Sequence, residues 1–394
     1  MSLSLSLYIH IPFCRAKCHY CDFNSYPGQE RLIPRYLEAV TGEAREWSCL
    51  LERPSVKTIY FGGGTPTLLD PEQVGRLMDV CAGSFSLADD AEITVEANPE
   101  TVSKELLHGL RRLGVNRISL GVQSFDGGLL KVLGRIHDVE RALTAYRWAR
   151  ESGFPSINLD FIYGIPGQSL ESWRRSLETA LELMPDHLSL YCLTLEEGTP
   201  LQRKVLQWEL EPPDPDLAAD MYLLAEERLG QSGYLHYELS NWARPGHEGR
   251  HNLTYWQNQP YLGLGAGAHS YLSPRRFGNA ASIEEYIDKV SPPWTVDKPG
   301  AAAEIEVLSP ILEQADTVIL GLRLGTGLDA GAFARRFGVA VAALYGPQIE
   351  ELTGLGLLTL EKGCLQLTQR GRLLGNEVFL RFLAHTNTLF TPAR

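Results

Sequence analysis

The chain has 394 residues, of which 44% are hydrophobic and 21% are charged. These are the proportions of a globular protein, so they exclude a largely disordered chain, and the length suits one large domain with a smaller second one. The formal net charge of −12 argues against a protein that binds nucleic acid by neutralising phosphates. No stretch of about eighteen uninterrupted apolar residues occurs, so the sequence predicts no transmembrane segment.

The seven cysteines are unevenly distributed, because three fall between residues 14 and 21 and the other four are scattered. A disulfide framework would be denser and more even, so this distribution indicates a reducing compartment and a metal or redox site near the N-terminus. Residues 1–13 have no basic start and no cleavage-like site, which argues against a secretory signal. We therefore expect a cytoplasmic protein.

Residues 1–200 repeat one pattern: a short apolar or β-branched run, a polar or glycine-rich turn, and a segment with helical periodicity. Such alternation predicts a parallel sheet covered by helices. The period alone leaves a doubly wound sheet and a partial barrel open, but unusual polar and glycine residues follow several runs, and a barrel collects such ends at one mouth. We therefore expect an α/β fold with a partial (β/α)6 barrel over residues 1–200. The predicted strands are Leu7–Ile11, Thr58–Phe61, Glu92–Ala97, Arg117–Val122, Ser156–Tyr163 and His187–Leu193, and the predicted helices are Leu32–Leu51, Glu72–Cys81, Lys104–Leu113, Glu140–Ser152 and Leu170–Leu183.

The remainder of the chain divides into two parts. Residues 201–300 predict an irregular connecting region that packs on the barrel and contains one helix, Pro215–Gly230. Residues 301–394 show the helix–helix–hairpin order of a winged-helix-like α+β domain. They hold eight basic and nine acidic residues, so a structural or partner-docking module is favoured over a DNA reader. Its predicted elements are helices Gly331–Arg336 and Ala340–Leu352, strands Leu357–Leu360 and Leu365–Thr368, and a last helix to about Leu383.

Three cysteines follow the first predicted strand with the spacing Cys14-x3-Cys18-x2-Cys21. Thiolates this close can hold an iron–sulfur cluster or help to bind zinc. Three thiolates on a four-iron cluster leave one iron open, whereas a structural zinc ion usually takes four ligands. His10 and His19 could complete a zinc site, and thiols without a metal are the third alternative. The spacing favours a [4Fe–4S] cluster with the three cysteines as its ligands.

The run from Tyr8 to Cys14, the cysteine spacing and the segment Tyr20-Cys21-Asp22-Phe23 resemble the radical S-adenosylmethionine (radical SAM) superfamily. More narrowly, nearly the whole chain resembles the oxygen-independent coproporphyrinogen III oxidase-like group. The resemblance implies a radical SAM barrel, a [4Fe–4S] cluster, S-adenosyl-L-methionine as cofactor and an electron donor that reduces the cluster.

Residues at the ends of successive strands match the cofactor pocket of that family in order. In the family, the glycine-rich run after the second strand meets the methionine amino group, and an aromatic side chain lies near the adenine. An arginine can hold the cofactor carboxylate in two parallel hydrogen bonds, and Gln and Asp can accept from ribose hydroxyls. Taken singly, each polar residue could equally be a helix-end charge or a cap in the core. The resemblance predicts that S-adenosylmethionine contacts Tyr8, Tyr20, Gly63, Gly64, Thr65, Glu96, Gln123, Arg135 and Asp160.

The group contains porphyrinogen-decarboxylating enzymes and heme chaperones, and two features separate them. The decarboxylating members carry a further cysteine two residues after the third cluster ligand, where this chain has Phe23. The chaperones resemble the run Arg250-His-Asn-Leu-Thr-Tyr-Trp256, an HNxxYW motif associated there with heme. Neutral imidazole is a good axial ligand for heme iron, and Tyr255 and Trp256 could stack on a porphyrin. Alternatively, His251 and these aromatic residues only plug the open side of the barrel.

We therefore expect a heme chaperone that binds a [4Fe–4S] cluster, S-adenosylmethionine and heme, with His251 as the heme ligand, and that delivers heme to apo-acceptor proteins. An oxygen-independent coproporphyrinogen III oxidase, which decarboxylates propionates through radical chemistry, is the alternative. A structural zinc protein with a transcription-factor-like tail is the third hypothesis. Titration with heme separates the first two, and the content of iron and acid-labile sulfide separates both from the third.

Overall fold

The computed structural model describes residues 3–290 and 294–388, with side chains described as far as residue 383. Six parallel strands lie side by side in chain order. A doubly wound sheet would reverse its strand order at a switch point, so the unbroken order confirms the predicted partial barrel. The strands are β1 (Ser4–Ile11), β2 (Ser55–Gly63), β3 (Ser86–Ala97), β4 (Arg117–Gln123), β5 (Ser156–Tyr163) and β6 (His187–Cys192).

Helices cover the outer side of these strands, because each helix turns an apolar stripe towards the sheet. In the first helix, Ile33–Leu50, the buried side chains include Tyr36, Val40 and Trp47, which recur at helical spacing. All five helices predicted in residues 1–200 occur. The helices as far as residue 231 are Ile33–Leu50, Pro71–Ser84, Lys104–Arg112, Gly127–Val132, Val139–Glu151, Leu170–Leu183, Pro200–Leu206 and Pro215–Gln231.

The sheet continues past the six parallel strands on both sides and stays open. Two antiparallel strands extend it beyond β6, and a parallel strand followed by three antiparallel ones extends it beyond β1. Residues 201–300 are therefore more regular than the sequence indicates, since most of them belong to the barrel sheet or its covering helices. The added strands are Leu235–Glu238, Asn241–Ala243, Tyr261–Leu264, His269–Leu272, Arg275–Asn279 and Ala302–Val307, and the helices Arg250–Trp256 and Ile283–Lys289 lie between them.

Two large hydrophobic cores organise the described residues, and a smaller third one includes Leu133 and Ile162. One joins buried side chains from Leu5 to Ala301, and the other joins buried side chains from Val318 to Phe382. The second core lies between a three-stranded sheet and its helices, which confirms the winged-helix-like fold. The elements are helices Pro310–Gly321, Ala330–Phe337, Val341–Gly354, Gln369–Leu373 and Gly375–Thr388, and strands Leu328–Asp329, Leu358–Glu361 and Cys364–Leu367.

The helix Pro310–Gly321 was not predicted, and it attaches the second core to the barrel. Asn258 Nδ2 donates to the Thr317 hydroxyl at 2.9 Å, and Arg336 Nη1 donates to the Asn258 carbonyl at 2.9 Å. The precise limits of the three predicted domains stay a prediction. Within residues 3–290 and 294–388, no helix is both long enough and apolar enough to cross a membrane.

Candidate functional site

A cavity of about 360 Å³ opens at the carboxyl ends of the parallel strands. We call it the first cavity. Parallel barrel strands bring their carboxyl ends to one mouth, so side chains far apart in the sequence meet there. The structure brings together the three cysteines and eight of the residues predicted to contact S-adenosylmethionine. They are Cys14, Cys18, Cys21, Tyr20, Gly63, Gly64, Thr65, Glu96, Gln123, Arg135 and Asp160.

The three cysteines lie on the loop that follows β1, which we call the cluster loop (residues 12–27). Cys14 Sγ lies 3.4 Å from Thr65 Oγ1, and Cys18 Sγ accepts a hydrogen bond from Arg135 Nη1 at 3.4 Å. Burial raises the pKa of the Cys14 and Cys21 thiols above the ordinary value. Burial alone therefore favours the neutral thiols, and they would become thiolates on coordination, because a metal deprotonates a bound thiol outright.

The cluster loop is anchored by chain that lies far downstream. Asn24 Nδ2 donates to the carbonyl oxygens of Ala266 and Ala281, each at 3.0 Å. The Tyr26 hydroxyl donates to the Ala281 carbonyl at 3.1 Å. The loop that carries the cysteines is therefore positioned by the strands that extend the sheet beyond β1.

The arrangement of the donors separates the cluster from the zinc alternative. In the part of the chain that the structure describes, no group of three or more His, Cys, Asp and Glu side chains is placed to hold a single metal ion. A cube differs, because each thiolate binds a different iron. Both ring nitrogens of His10 are engaged, with Nδ1 3.0 Å from the Tyr8 hydroxyl and Nε2 2.8 Å from the Asn24 carbonyl. His19 Nδ1 lies 3.0 Å from the Val132 carbonyl. The donor set therefore suits three thiolates on a cube better than a zinc site completed by His10.

The glycine-rich run after β2 packs against the start of the cluster loop. The Gly64 N–H donates to the carbonyl that ends β1 at 2.9 Å, and the Thr65 N–H donates to the Phe13 carbonyl at 2.8 Å. A Cβ at Gly64 would lie 2.6 Å from that Phe13 oxygen, and Gly63 has a φ of 107° with His10 directly beside it. Only glycine allows such an approach. The run borders the first cavity, but these two amides already hold the cluster loop.

Arg135 is a partly buried cation that makes no direct salt bridge with a carboxylate among the residues that the structure describes. Burial lowers its pKa, but nearby groups that include Glu100 raise it overall. Its Nη2 donates to Asn98 Oδ1 at 2.6 Å and to the Gly121 carbonyl at 2.8 Å. Its Nε is buried and has no hydrogen-bond partner within the described chain. A charged group is costly to bury when one of its hydrogen-bond donors has no partner. The first cavity is therefore suited to an anionic group, such as the carboxylate of S-adenosylmethionine, beside Arg135.

Two partly buried carboxyl groups also line the first cavity. Glu96 accepts from the Tyr60 hydroxyl at 2.7 Å and from a backbone N–H at 3.1 Å. Asp160 accepts from the Ser119 hydroxyl at 2.8 Å and from Asn158 Nδ2 at 2.7 Å. Burial raises the pKa of Glu96 to about 7 and also raises the pKa of Asp160. A ligand that brings ammonium or hydroxyl donors would favour their ionised forms.

The sequence analysis missed several residues of the first cavity, including two at the end of β6. Tyr191 and Cys192 end β6, line the cavity and are exposed. Their position at the end of a predicted strand could have identified them, as it identified Gln123 at the end of β4. Gln123 has a φ of 66°, a left-handed conformation that is uncommon for a residue with a side chain.

A second cavity of about 430 Å³ adjoins the first, and we call it the second cavity. The two cavities share Gly63, Glu96 and Phe23 as walls. Tyr8, which was predicted to contact S-adenosylmethionine, lines the second cavity and not the first. Its hydroxyl lies 3.0 Å from Nδ1 of His10, two residues along β1. Tyr8 therefore lies beside two of the other predicted pocket residues, Gly63 and Glu96, but outside the first cavity.

Aromatic residues from the helix Arg250–Trp256 and the next strand complete the second cavity. Tyr255 and Tyr261 both line it, and their rings meet edge to face with centroids 4.6 Å apart. Trp256 points elsewhere, because the guanidinium of Arg323 lies over its ring at 5.1 Å. The tyrosines, and not the tryptophan, provide the aromatic wall.

His251 lies inside the barrel with only 2% of its surface exposed. Its Nδ1 is 2.7 Å from the Thr58 hydroxyl, and its Nε2 is 2.8 Å from the Tyr255 hydroxyl. Burial lowers the pKa of His251 to about 3, and its ring stacks on Tyr60 with centroids 4.9 Å apart. Both nitrogens are engaged, so His251 can bind iron only if its contact with Thr58 or its contact with Tyr255 breaks. Ligation by His251 stays a prediction, and the observed packing corresponds to the alternative in which His251 fills the barrel.

Known proteins resemble this chain over most of its length. The sequence model of the radical SAM superfamily matches residues 8–180, and that of the HemN C-terminal domain matches residues 309–374. The heme chaperone HemW of Bacillus subtilis is 38% identical over 96% of this chain and 99% of its own length. The heme chaperone HemW of Escherichia coli is 36% identical over 96% of this chain and 98% of its own. Among solved structures, coproporphyrinogen III oxidase (HemN) from Escherichia coli, a radical SAM enzyme, has 29% identity and a TM-score of 0.83 over 97% of this chain and 90% of its own.

The chain therefore belongs to the radical SAM superfamily, in the group that contains HemN and HemW. Membership assigns two cofactors, a [4Fe–4S] cluster and S-adenosylmethionine. The first cavity fits both, because it places three cysteine sulfurs on one side and the unpaired donor of Arg135 among its walls.

Proposed function

We propose that this protein is a heme chaperone, which holds a [4Fe–4S] cluster and S-adenosylmethionine in the first cavity and carries heme as cargo to apo-proteins. The observation that carries the proposal is the full-length similarity to heme chaperones, at 36 to 38% identity over 96% of this chain. The similarity includes residues of both cores, so it is not limited to the cofactor-binding barrel.

In this proposal, the chain's own residues hold S-adenosylmethionine in a fixed orientation. The unpaired Nε of Arg135 binds the carboxylate, and Glu96 accepts from the amino group beside the glycine-rich run. Asp160 and Gln123 accept from the ribose hydroxyls, and Tyr20 packs near the adenine. The cluster supplies one-electron reducing chemistry and an iron open to the cofactor.

The alternative is coproporphyrinogen III oxidation, which the 0.83 TM-score with HemN supports. Phe23 argues against it, because the decarboxylating members of the group carry a cysteine at this position. Phe23 is 63% exposed and borders both cavities, so the difference falls at the opening between the two sites. A phenylalanine offers neither a thiol nor a proton donor there, and this favours the chaperone.

An electron donor and a heme acceptor are part of the proposal. Residues 15–17 of the cluster loop are exposed, so a donor can approach the cluster from solvent at this point. Arg15 and Lys17 place two cations there, in a chain whose net charge is −12. This local positive charge fits an acidic electron-transfer protein.

The test is titration of the anaerobically prepared full chain with ferric heme, followed by transfer to a heme-free acceptor such as apomyoglobin. We expect one heme to bind and then to appear in the acceptor, with no turnover of coproporphyrinogen III under conditions that reduce the cluster. Decarboxylation without heme binding would establish the oxidase instead. If the chain shows neither heme binding nor decarboxylation, the proposal is refuted, and the protein is a radical SAM protein with another substrate.

A further inference from the structure

Imidazole is a common axial ligand for heme iron, so each histidine with a free ring nitrogen is a candidate ligand. Nine of the ten histidines have described side chains. Six of these nine have a ring nitrogen within hydrogen-bond distance of another group: His10, His19, His137, His187, His236 and His251.

The other three described histidines differ in location. His108 is exposed on the helix Lys104–Arg112, which covers the outside of the barrel. His247 follows a turn whose backbone bonds to residues just before β6, at the end of the barrel opposite the mouth. His269 is exposed and lines the second cavity. Among the described side chains, His269 is the one histidine that combines ring nitrogens free of hydrogen bonds with a position in a cavity at the mouth.

The backbone around His269 leaves room for the imidazole ring. His269 begins the strand His269–Leu272 and pairs with Gly278 of the neighbouring antiparallel strand. A Cβ at Gly278 would lie 2.9 Å from His269 Cε1, so the ring lies over the glycine backbone. The preceding strand, Tyr261–Leu264, runs parallel to β1. The turn after it therefore brings His269 to the same end of the sheet as the cluster loop.

The surroundings of His269 suit a flat aromatic macrocycle. Tyr8, Tyr255 and Tyr261 line the second cavity, and the exposed ring of Phe23 stands at its border with the first cavity. Such rings stack on or pack edgewise against a porphyrin. The second cavity is open to solvent, so part of the macrocycle and its propionates would remain in solvent. An incompletely enclosed heme with one histidine ligand suits cargo that has to leave.

We infer that His269 is the axial ligand of heme iron and that the porphyrin lies in the second cavity against Tyr255 and Tyr261, an assignment that rests on the proposed heme-chaperone function. The imidazole donates an electron pair to iron, and no covalent bond of the porphyrin changes. His251 then acts as a positioning residue, because its Nε2 holds the hydroxyl of Tyr255.

The experiment compares ferric heme titrations of the full chain with those of His269→Ala, His251→Ala and the matched control His247→Ala. Absorption and electron paramagnetic resonance spectra report the axial ligand, and cluster absorption with circular dichroism reports folding. We expect His269→Ala to lose the histidine-ligated spectrum and to bind heme on the order of tenfold more weakly or worse. Added imidazole should restore the spectrum in this variant. His251→Ala should keep the histidine-ligated spectrum, and His247→Ala should match the unmodified chain.

The outcomes distinguish the inference from the function on which it rests. Absence of heme binding by the unmodified chain overturns the proposed function itself. Normal heme binding together with an unchanged spectrum in His269→Ala overturns only the ligand, and loss of ligation in His251→Ala alone assigns it to His251. If His269→Ala does not fold, His269→Gln keeps a polar side chain of similar length. Retention of the original spectrum by His269→Gln would equally contradict the inference.

Discussion

The two cavities differ in the part of the chain that builds them and in their chemistry. The walls of the first come from residues 14–196 and carry partly buried carboxyl groups, an unpaired arginine donor and three thiols. The second combines β1 and the cluster loop with residues 255–269, and its walls are largely aromatic. Phe23, Gly63 and Glu96 separate them. The comparison indicates that the barrel alone forms the cofactor site, whereas the later strands add a site of different chemistry beside it.

The largest effect is expected from removal of the cluster, which should abolish the metal content of the first cavity and leave heme binding in the second cavity intact. Changing Cys14, Cys18 and Cys21 to Ala should reduce iron and sulfide from about four each per chain to none, because the thiolates are the cluster ligands. Heme binding should persist, because the second cavity contains none of these sulfurs. Iron and sulfide analysis and heme titration measure the two results.

Cysteines elsewhere in the fold provide the control for this loss. Cys49 and Cys364 line neither cavity. The variants Cys49→Ala and Cys364→Ala should therefore retain the full iron content. Loss of the cluster in either control would show that the ligands were chosen wrongly.

The next effect concerns S-adenosylmethionine in the first cavity. Arg135→Ala and Asp160→Ala should each weaken its binding by roughly ten- to a hundredfold, since a hydrogen bond to a charged group contributes about 1.5–3 kcal/mol. Isothermal titration of anaerobic protein measures the affinity, with the cluster spectrum as the check on folding. Unchanged affinity in both variants would refute the assignment of the pocket.

The dependence of folding stability on pH tests whether His251 is buried as a neutral side chain. His251 has a pKa lowered to about 3 in the folded protein, whereas an unfolded chain takes up this proton near pH 6.5. The unfolded state therefore binds more protons as the pH falls below 6.5, and folding stability decreases. Relative to His251→Gln, the unmodified chain should lose about 2 kcal/mol between pH 7 and pH 5.

Denaturant unfolding of both proteins at the two pH values measures this difference. The comparison between variants is necessary because His10, with a pKa lowered to about 4, changes stability in the same direction, while Glu43, Glu96 and Glu238, raised to about 7, change it in the opposite direction. A difference that does not vary with pH would mean that His251 is accessible to solvent.

The smallest effect is expected from two aromatic substitutions, one in each cavity. Tyr261→Ala in the second cavity should weaken heme binding by about 1 kcal/mol, or roughly fivefold, and leave S-adenosylmethionine affinity unchanged. Tyr191→Ala in the first cavity should show the reverse selectivity. If both variants affected both ligands equally, the two cavities would function as one site.

The sequence could indicate which residues meet at the first cavity because these residues follow individual strands. Glu96, Gln123 and Asp160 each lie at or near the end of a predicted strand, and parallel strand order then brings them together. The cluster loop has a local spacing signal in its three cysteines. The same reasoning could not reach the fixed contacts of the glycine-rich run, which depend on how closely the loop approaches β2.

The second cavity was not predicted, because it depends on pairing between distant parts of the chain. Tyr8 lies opposite Gly263 in the sheet, and no periodic pattern in the sequence indicates this register. Tyr8 was therefore grouped with the cysteines that follow it. The accessibility of His251 could not be inferred either, since a histidine in a short motif gives no indication that Thr58 and Tyr255 engage both its nitrogens.

Because Ala266 and Ala281 anchor the cluster loop, the loop is synthesised long before the residues that hold it in place. Tyr26 and Ala281 are 255 residues apart in the chain, and ribosomes add roughly 5–20 residues per second, so the loop waits roughly 10–50 s for its anchor to be translated. During that interval the three cysteines have emerged but are not yet held by the completed sheet. Iron–sulfur assembly therefore meets either an unanchored loop during translation or the finished fold after release, and the exposed residues 15–17 mark the route in the second case.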